Sequence, residues 1–187
     1  VAPRSVIILF IALLFGLATP FGIIYLMEIL DTTIRGRKDI EDKLSIPFLG
    51  DIPEYHGSTR QGSVVVRDNG RDSVSEAFRL IRSNLGFMSV KSGKLQIIMV
   101  TSSNPHAGKT FVTTNLAMTL ALADKKVVIV DLDLRRRTLS KQMGQRDNRN
   151  GVSGYISGTI ANLNDIVFQS GLHENLDIIF AGLQPPN

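Results

Sequence analysis

The stretch TSSNPHAGKT, Thr101–Thr110, predicts a loop that cradles phosphate groups. An apolar run of buried-strand type, Leu95–Ser102, leads into it, and a segment of helical length and composition, Thr110–Ala123, follows it. In such a loop a glycine, here Gly108, allows a tight turn, and backbone amides at the helix start face the phosphates. A bare Gly-Lys-Thr tripeptide could begin an ordinary helix, but the flanking segments favour a nucleotide site.

Two side chains of this loop carry the predicted chemistry. Lys109 would reach the β and γ phosphate oxygens, and the Thr110 hydroxyl would ligate magnesium. The usual GxxxxGK[ST] pattern has glycine where this chain has Ser103, and His106 could instead be a solvent-facing loop residue. The residues predicted to contact the nucleotide are Ser103, Asn104, Pro105, His106, Ala107, Gly108, Lys109, Thr110 and Phe111.

A second apolar run, Lys126–Asp131, ends in the sequence DLD. Two parallel strands joined by a helix form a right-handed crossover, and ligands of such sheets bind at the carboxyl ends of the strands. The P-loop, Asp131 and Asp133 should therefore converge on one crevice. The predicted fold is α/β, a P-loop NTPase-like, doubly wound parallel sheet. With Leu176–Phe180 it has three predicted strands, fewer than the usual 5 to 6 or so, so we expect an incomplete sheet.

The N-terminal segment Ser5–Met27 contains 23 residues without a charge. A helix needs about 20 residues to cross a hydrocarbon core, whereas the apolar part of a signal sequence has about 7 to 15. The sequence therefore predicts a transmembrane helix, kinked near Pro20. More basic residues follow the span than precede it, which places the C-terminal part in the cytoplasm. They are Arg35, Arg37, Lys38 and Lys43 after the span, and Arg4 before it.

Shorter elements are predicted between and after these segments. The connector IPFLGDIP, Ile46–Pro53, contains two prolines and a glycine, and these residues favour an extended chain. The other predicted elements are a short helix within Asp31–Leu44, a strand at Ser63–Val66, and short helices at Gly151–Gly158 and Asn162–Gln169.

The formal net charge of the chain is +4, and its basic residues are dispersed without interleaved aromatic residues, so a nucleic-acid partner is not expected.

A further helix is predicted at Asp72–Met88. Apolar residues line one side of it, and Glu76, Arg79 and Arg82 fall at successive three-residue steps on another. From spacing alone these three charges form a solvated face, with ion pairs of about 0.2 to 0.5 kcal/mol each.

The ordered series of motifs resembles the cytoplasmic half of bacterial tyrosine autokinases, the BY-kinases that co-polymerise capsular and exopolysaccharides. The likeness runs from the membrane helix through IPFLGDIP, the ExxRxxR helix, the Gly-Lys-Thr loop and the DLD motif to the final AGLQPPN. It implies a transmembrane helix at residues 1–30, a juxtamembrane connector at 31–71 and a P-loop ATP-binding kinase domain at 72–187, truncated at its C-terminal end.

The resemblance also implies a function at the inner membrane. Such a kinase uses ATP and Mg²⁺ to phosphorylate tyrosines in the tail of a neighbouring subunit in a homo-oligomeric ring, in contact with the polysaccharide polymerisation and export machinery. Lys109, Asp131 and Asp133 would be catalytic, and Thr110 with the two aspartates would bind magnesium. Glu76, Arg79 and Arg82 would contact the adjacent subunit.

The chain departs from the family pattern in two respects. An apolar strand ending in aspartate is not found after Asp133, and Tyr25, Tyr55 and Tyr155 do not form a cluster. We expect both features beyond Asn187, so this piece alone would be an incomplete enzyme. One alternative is a non-catalytic chain-length regulator with a scaffold nucleotide domain. Another is a membrane ATPase of the partitioning and division-site type, although its extra loop lysine is absent from 101–105.

Overall fold

The computed structural model describes residues 5–31, 33–34, 36–42, 44–55, 64–92, 95–144 and 150–184. The chain divides into two compact units, Val1–Phe48 and Leu49–Asn187. The helices are α1 (Ser5–Leu30), α2 (Arg37–Glu41), α3 (Ser73–Ser92), α4 (Lys109–Ala121), α5 (Thr138–Gln142) and α6 (Val152–Ile156), with a 3-10 helix at Leu163–Ile166. The strands are β1 (Val127–Val130), β2 (Val167–Gln169) and β3 (Leu176–Ile179).

The first unit contains the long apolar helix α1. Its 26 residues are long and apolar enough to cross a membrane, and none of them is buried within the protein. Pro20 lies inside the helix, and the Thr19 hydroxyl donates a 2.6 Å hydrogen bond to the carbonyl of Phe15. Helix α2 confirms the predicted short second helix, and Arg37 pairs with Glu41 one turn along it at 2.7 Å.

The second unit is built around a three-stranded sheet of order β1-β3-β2. Strand β1 pairs with β3 in parallel, and β2 pairs with β3 antiparallel. The predicted α/β class is confirmed, while the sheet is partial and mixed rather than wholly parallel. Within the segment 162–169, predicted as a helix, only Leu163–Ile166 is helical, and the next three residues form β2. That short run becomes a strand because β3 supplies its hydrogen-bonding partner.

Both faces of the sheet are covered at its middle strand, β3. Successive side chains of a strand point to opposite faces, and Ile178 and Ile179 of β3 accordingly belong to two different apolar clusters. Ile178 packs with residues of α4 and α5, including Ala121 and Leu139. Ile179 packs with Val152 of α6 and with the 3-10 helix. This two-sided packing is the doubly wound arrangement that the sequence predicted.

A third apolar cluster joins α3 and the residues before it to α4. Val65 and Val66 are buried there with Phe78 of α3 and Leu116 of α4. The Asn115 carboxamide oxygen accepts hydrogen bonds from the backbone amides of Val65 and Val66, at 2.8 and 3.1 Å. The predicted strand at Ser63–Val66 is therefore wrong for its described part, 64–66, since a buried side chain of α4 satisfies these amides instead of a neighbouring strand.

The predicted buried strand at Leu95–Ser102 is wrong in this structure. Ile97 is 86% exposed and Met99 is 79% exposed, and no ladder includes this segment. A strand of a parallel sheet is buried when neighbours pair with its edges and helices cover its faces. In the described part of the chain β1 pairs on one edge alone, with β3, and its Val128 and Val130 are 49% and 43% exposed. The segment 95–100 thus lacks a partner strand within the described residues.

Candidate nucleotide site

The P-loop lies where the sequence predicts it, at the start of α4. Gly108 precedes the first helical residue, Lys109, and has φ 84°, a left-handed conformation that glycine adopts without strain. A Cβ atom at Gly108 would meet no atom within 4 Å, so the backbone is open to an approaching group. Residues 103–108 are exposed, and the amides of the first turn of α4 have no intrahelical acceptor. The loop therefore has the form of an open anion cradle.

The Lys109 side chain bridges the loop. Its Nζ atom donates to the Ser102 hydroxyl at 2.8 Å, and that hydroxyl donates to the carbonyl of Asn104 at 2.8 Å. Lys109 and Thr110 are both half-buried. An ammonium group held across the loop in this way can exchange a neutral hydroxyl for phosphate oxygens.

Asp131 follows β1 directly and is 7% exposed. Its Oδ1 atom accepts the amide of Asp133 at 3.1 Å, and its Oδ2 atom accepts the amide and the hydroxyl of Ser140 at 3.3 and 3.0 Å. Burial raises the pKa of Asp131 above its ordinary value, and this effect outweighs the hydrogen bonds from Asp133 and Ser140, which lower it. The nearby charge of Asp133 adds to the rise.

Asp133 is half-buried and organises the turn that follows. Its Oδ1 atom accepts the amide of Arg136 at 3.0 Å, and its Oδ2 atom accepts the Thr138 hydroxyl at 3.3 Å. The two predicted aspartates are thus adjacent but differ in environment, since Asp131 points into the fold and Asp133 is more open to solvent.

One contact joins the P-loop to the turn after β1. An Nη atom of Arg136 lies 3.1 Å from Nε2 of His106. A guanidinium group only donates, so this nitrogen of His106 is the acceptor. His106 has φ 62°, a left-handed conformation that is uncommon outside glycine. The predicted loop residue His106 is therefore exposed but has a partner, Arg136 of the turn after β1.

The donor set fits a magnesium ion bound together with phosphate. The described residues contain no group of three or more His, Cys, Asp or Glu side chains that could hold a metal by themselves. Magnesium is usually bound through one or two carboxylates together with substrate phosphates and waters. Thr110, Asp131 and Asp133 are the residues that would supply the protein ligands.

The three predicted subunit-contact residues of α3 make bonds within their own chain. Arg79 donates to the Glu76 carboxylate at 2.6 Å and to the carbonyl of Gly70 at 2.6 Å. Arg82 donates to the carbonyl of Thr119 in α4 at 3.0 Å. Their contact with another subunit stays a prediction. No sequence motif marked Asn115 or Ser140, whose hydrogen-bonding partners are Val65 and Val66 for Asn115 and Asp131 for Ser140.

Comparison with known proteins identifies the class of this domain. Residues 98–181 match the family model described as the CobQ/CobB/MinD/ParA nucleotide binding domain. The solved kinase domain of Escherichia coli tyrosine kinase ETK superposes with a TM-score of 0.70 at 30% sequence identity, covering 83% of this chain and 62% of that one. The chain therefore contains a domain with the P-loop NTPase-like fold.

The curated relatives indicate a more specific class of protein. The Klebsiella pneumoniae protein named "Putative tyrosine-protein kinase in cps region" is 28% identical over the whole of this chain and 27% of its own length. Tyrosine-protein kinase etk of Escherichia coli K12 is 38% identical over 64% of this chain and 16% of its own length. The chain thus spans about a quarter or less of these two relatives. Its relatives are bacterial tyrosine-protein kinases, and the resemblance based on its motifs is confirmed.

Proposed function

We propose that this chain is the membrane-anchored, nucleotide-binding part of an ATP-dependent protein-tyrosine autokinase that controls capsular or exopolysaccharide polymerisation and export. The observation that carries the proposal is an open P-loop beside a turn that holds Asp131, a buried carboxylate whose pKa is raised. The cps region of the Klebsiella relative supports the link to polysaccharide.

The residues of the site suit transfer of a phosphoryl group. In this reaction the bond from the γ-phosphorus to the oxygen of the departing ADP breaks, a bond to the tyrosine oxygen forms, and the tyrosine proton passes to a base. Catalysis depends mainly on alignment and charge stabilisation, which Lys109 and the amides of α4 provide. Bound magnesium would neutralise developing phosphate charge. A carboxylate of raised pKa such as Asp131 is a stronger base than an ordinary one.

The cofactors would be ATP and Mg²⁺, and the partner would be a second copy of the protein. Helix α1 would span the inner membrane, with the residues after about 30 in the cytoplasm. The acceptor tyrosines would come from a neighbouring subunit in a ring, with Glu76, Arg79 and Arg82 at the contact. The division into residues 1–30, 31–71 and 72–187 is part of the same proposal.

The test uses the full-length protein of the native gene in membranes. It is incubated with magnesium and labelled ATP, and phosphotyrosine is measured in the wild type, in Lys109→Met and in a matched control, Lys125→Met. Lys125 is an exposed lysine in the loop before β1. We expect label in the wild type and the control and a loss of at least about 100-fold in Lys109→Met.

Other outcomes would identify a different function. Equal labelling of Lys109→Met and wild type would refute the kinase assignment. Nucleotide binding without phosphotyrosine would favour the non-catalytic chain-length regulator. Release of free phosphate together with reversible membrane attachment would favour the partitioning and division-site ATPases.

A further inference from the structure

We propose that Ser140 is a positioning residue that aims the Asp131 carboxylate, so that Asp131 acts on the reacting groups through one oxygen atom, Oδ1. The inference rests on the proposed function, because it assumes that Asp131 takes part in phosphoryl transfer. It adds a residue that no motif contains, and it assigns different tasks to the two oxygens of a single carboxylate.

The first step of the argument is a count of hydrogen-bond donors. An ionised carboxylate offers about four acceptor positions, two on each oxygen. Oδ2 of Asp131 accepts two donors from Ser140, its amide at 3.3 Å and its hydroxyl at 3.0 Å. Oδ1 accepts one donor, the amide of Asp133 at 3.1 Å. Among the described residues Oδ2 is thus fully occupied, and Oδ1 retains one position for a metal ion, a water molecule or a substrate hydroxyl.

The second step is that Ser140 is itself held in place. It is 1% exposed, and its hydroxyl also accepts the backbone amide of Ala181 at 3.4 Å. Ala181 lies just beyond β3, and Asp131 is joined to the same strand by a 2.9 Å bond from its amide to the carbonyl of Ile179. The preceding residue, Leu139, is 4% exposed and anchors α5 in the core. The Ser140 hydroxyl therefore links the ends of β1 and β3 through α5.

The third step is that a fixed hydroxyl restricts how the carboxylate can rotate. A partial turn of Asp131 about its Cβ–Cγ bond would move the oxygen that faces Ser140 away from both Ser140 donors, which are buried and have no other acceptor among the described residues. Buried donors left without acceptors are destabilising, so the orientation with Oδ1 free is favoured. A misplacement of about 1 Å in a reacting group can lower a rate by about 100-fold.

The same chain contains a matched control far from the P-loop in sequence. Ser75 is 0% exposed and donates its hydroxyl and its amide to the carboxylate of Asp72, at 2.6 and 2.9 Å. Ser75→Ala and Ser140→Ala each remove one buried hydroxyl from an aspartate. If Ser140 served stability alone, the two variants would behave alike.

The experiment measures both variants, together with Ser140→Thr, in the full-length protein. We expect Ser140→Ala to lower kcat for tyrosine phosphorylation by about 10-fold to 100-fold, with KM for ATP within about twofold of the wild type, because the P-loop is unchanged. Ser140→Thr retains a hydroxyl and should recover most of kcat, whereas Ser75→Ala should lower the melting temperature without lowering kcat.

A second measurement does not depend on kinase activity. Hydrogen exchange at the Asp133 amide, which bonds to Oδ1 rather than to Ser140, should quicken by at least about fivefold in Ser140→Ala and stay as in the wild type in Ser75→Ala. Unchanged exchange at Asp133, or a kcat loss equal to that of Ser75→Ala, would overturn the positioning role. Wild-type protein without phosphotyrosine but with this exchange effect would refute the proposed function and leave the orientation of Asp131 supported.

Discussion

The start of α3 and the turn after β1 each contain an aspartate that is hydrogen-bonded to a serine, and the two aspartates differ in their exposure to solvent. In each, a buried serine donates its amide and its hydroxyl to an aspartate. Asp72 is exposed, and the hydroxyl and amide of Ser75 hold its pKa below the ordinary value. Asp131 is 7% exposed, and burial raises its pKa in spite of similar hydrogen bonds. Desolvation thus decides which aspartate is a helix cap and which is suited to act as a base.

The largest expected effect is on kinase activity, which should depend on Asp131 and not on Asp72. Asp131→Asn should lower kcat for tyrosine phosphorylation by about 10² to 10⁴, because it removes the base that we propose for the reaction. Asp72→Asn should leave kcat unchanged, since asparagine is about as good a helix cap as aspartate. Both are measured by phosphotyrosine formation in the full-length protein. Equal activities of the two variants would show that Asp131 has no chemical task and would reduce the comparison to one of stability.

A smaller effect is expected on the pH dependence of stability, which should differ between Asp72 and Asp131. Because the folded-state pKa of Asp72 is lowered, its contribution is present above the ordinary pKa of about 3.9 and is lost as the pH falls through the folded value. Asp72→Ala should therefore lower stability by about 1 kcal/mol at pH 7, or about 2 to 4 °C in melting temperature, and by less near pH 3. Thermal unfolding in detergent measures this.

The control for Asp72→Ala is Asp68→Ala, because Asp68 is an exposed aspartate four residues earlier in the chain, in the turn before α3. For Asp131 the pH dependence of stability has the opposite sign. Its folded-state pKa is raised, so its contribution is present at acid pH and is lost as the pH rises through the raised value. A penalty for Asp72→Ala that stayed constant from pH 3 to pH 7 would contradict the assignment of its carboxylate as a charged cap.

The smallest expected effect concerns Glu76, one turn into the same helix. Its ion pair with Arg79 spans 2.6 Å on the surface, and such pairs contribute about 0.2 to 0.5 kcal/mol. Glu76→Gln should therefore change the melting temperature by less than about 2 °C. A fall in oligomer size by light scattering would then report a lost subunit contact rather than a damaged fold. Unchanged oligomer size would leave Glu76 as a solvated residue at the start of α3.

The sequence predicted those parts of the molecule that depend on local pattern. Gly108 and Lys109 marked the loop and the start of α4, and the charge-free run marked α1. The strand expected at 95–102 depended on a partner strand, which no local pattern can supply. Ser140 and Asn115 act on residues 9 and about 50 positions away, so only the folded chain shows their role. Burial of Asp131 likewise comes from packing rather than from the DLD motif.

A methionine in the segment 95–100 can report by its oxidation whether this segment is covered. Met99 is 79% exposed, and an accessible thioether is readily oxidised to the sulfoxide by peroxide. Met118, partly buried against the core in α4, provides an internal reference in the same chain. The ratio of oxidation at these two methionines, read by mass spectrometry, therefore footprints whatever strand or subunit comes to cover the segment that leads into the P-loop.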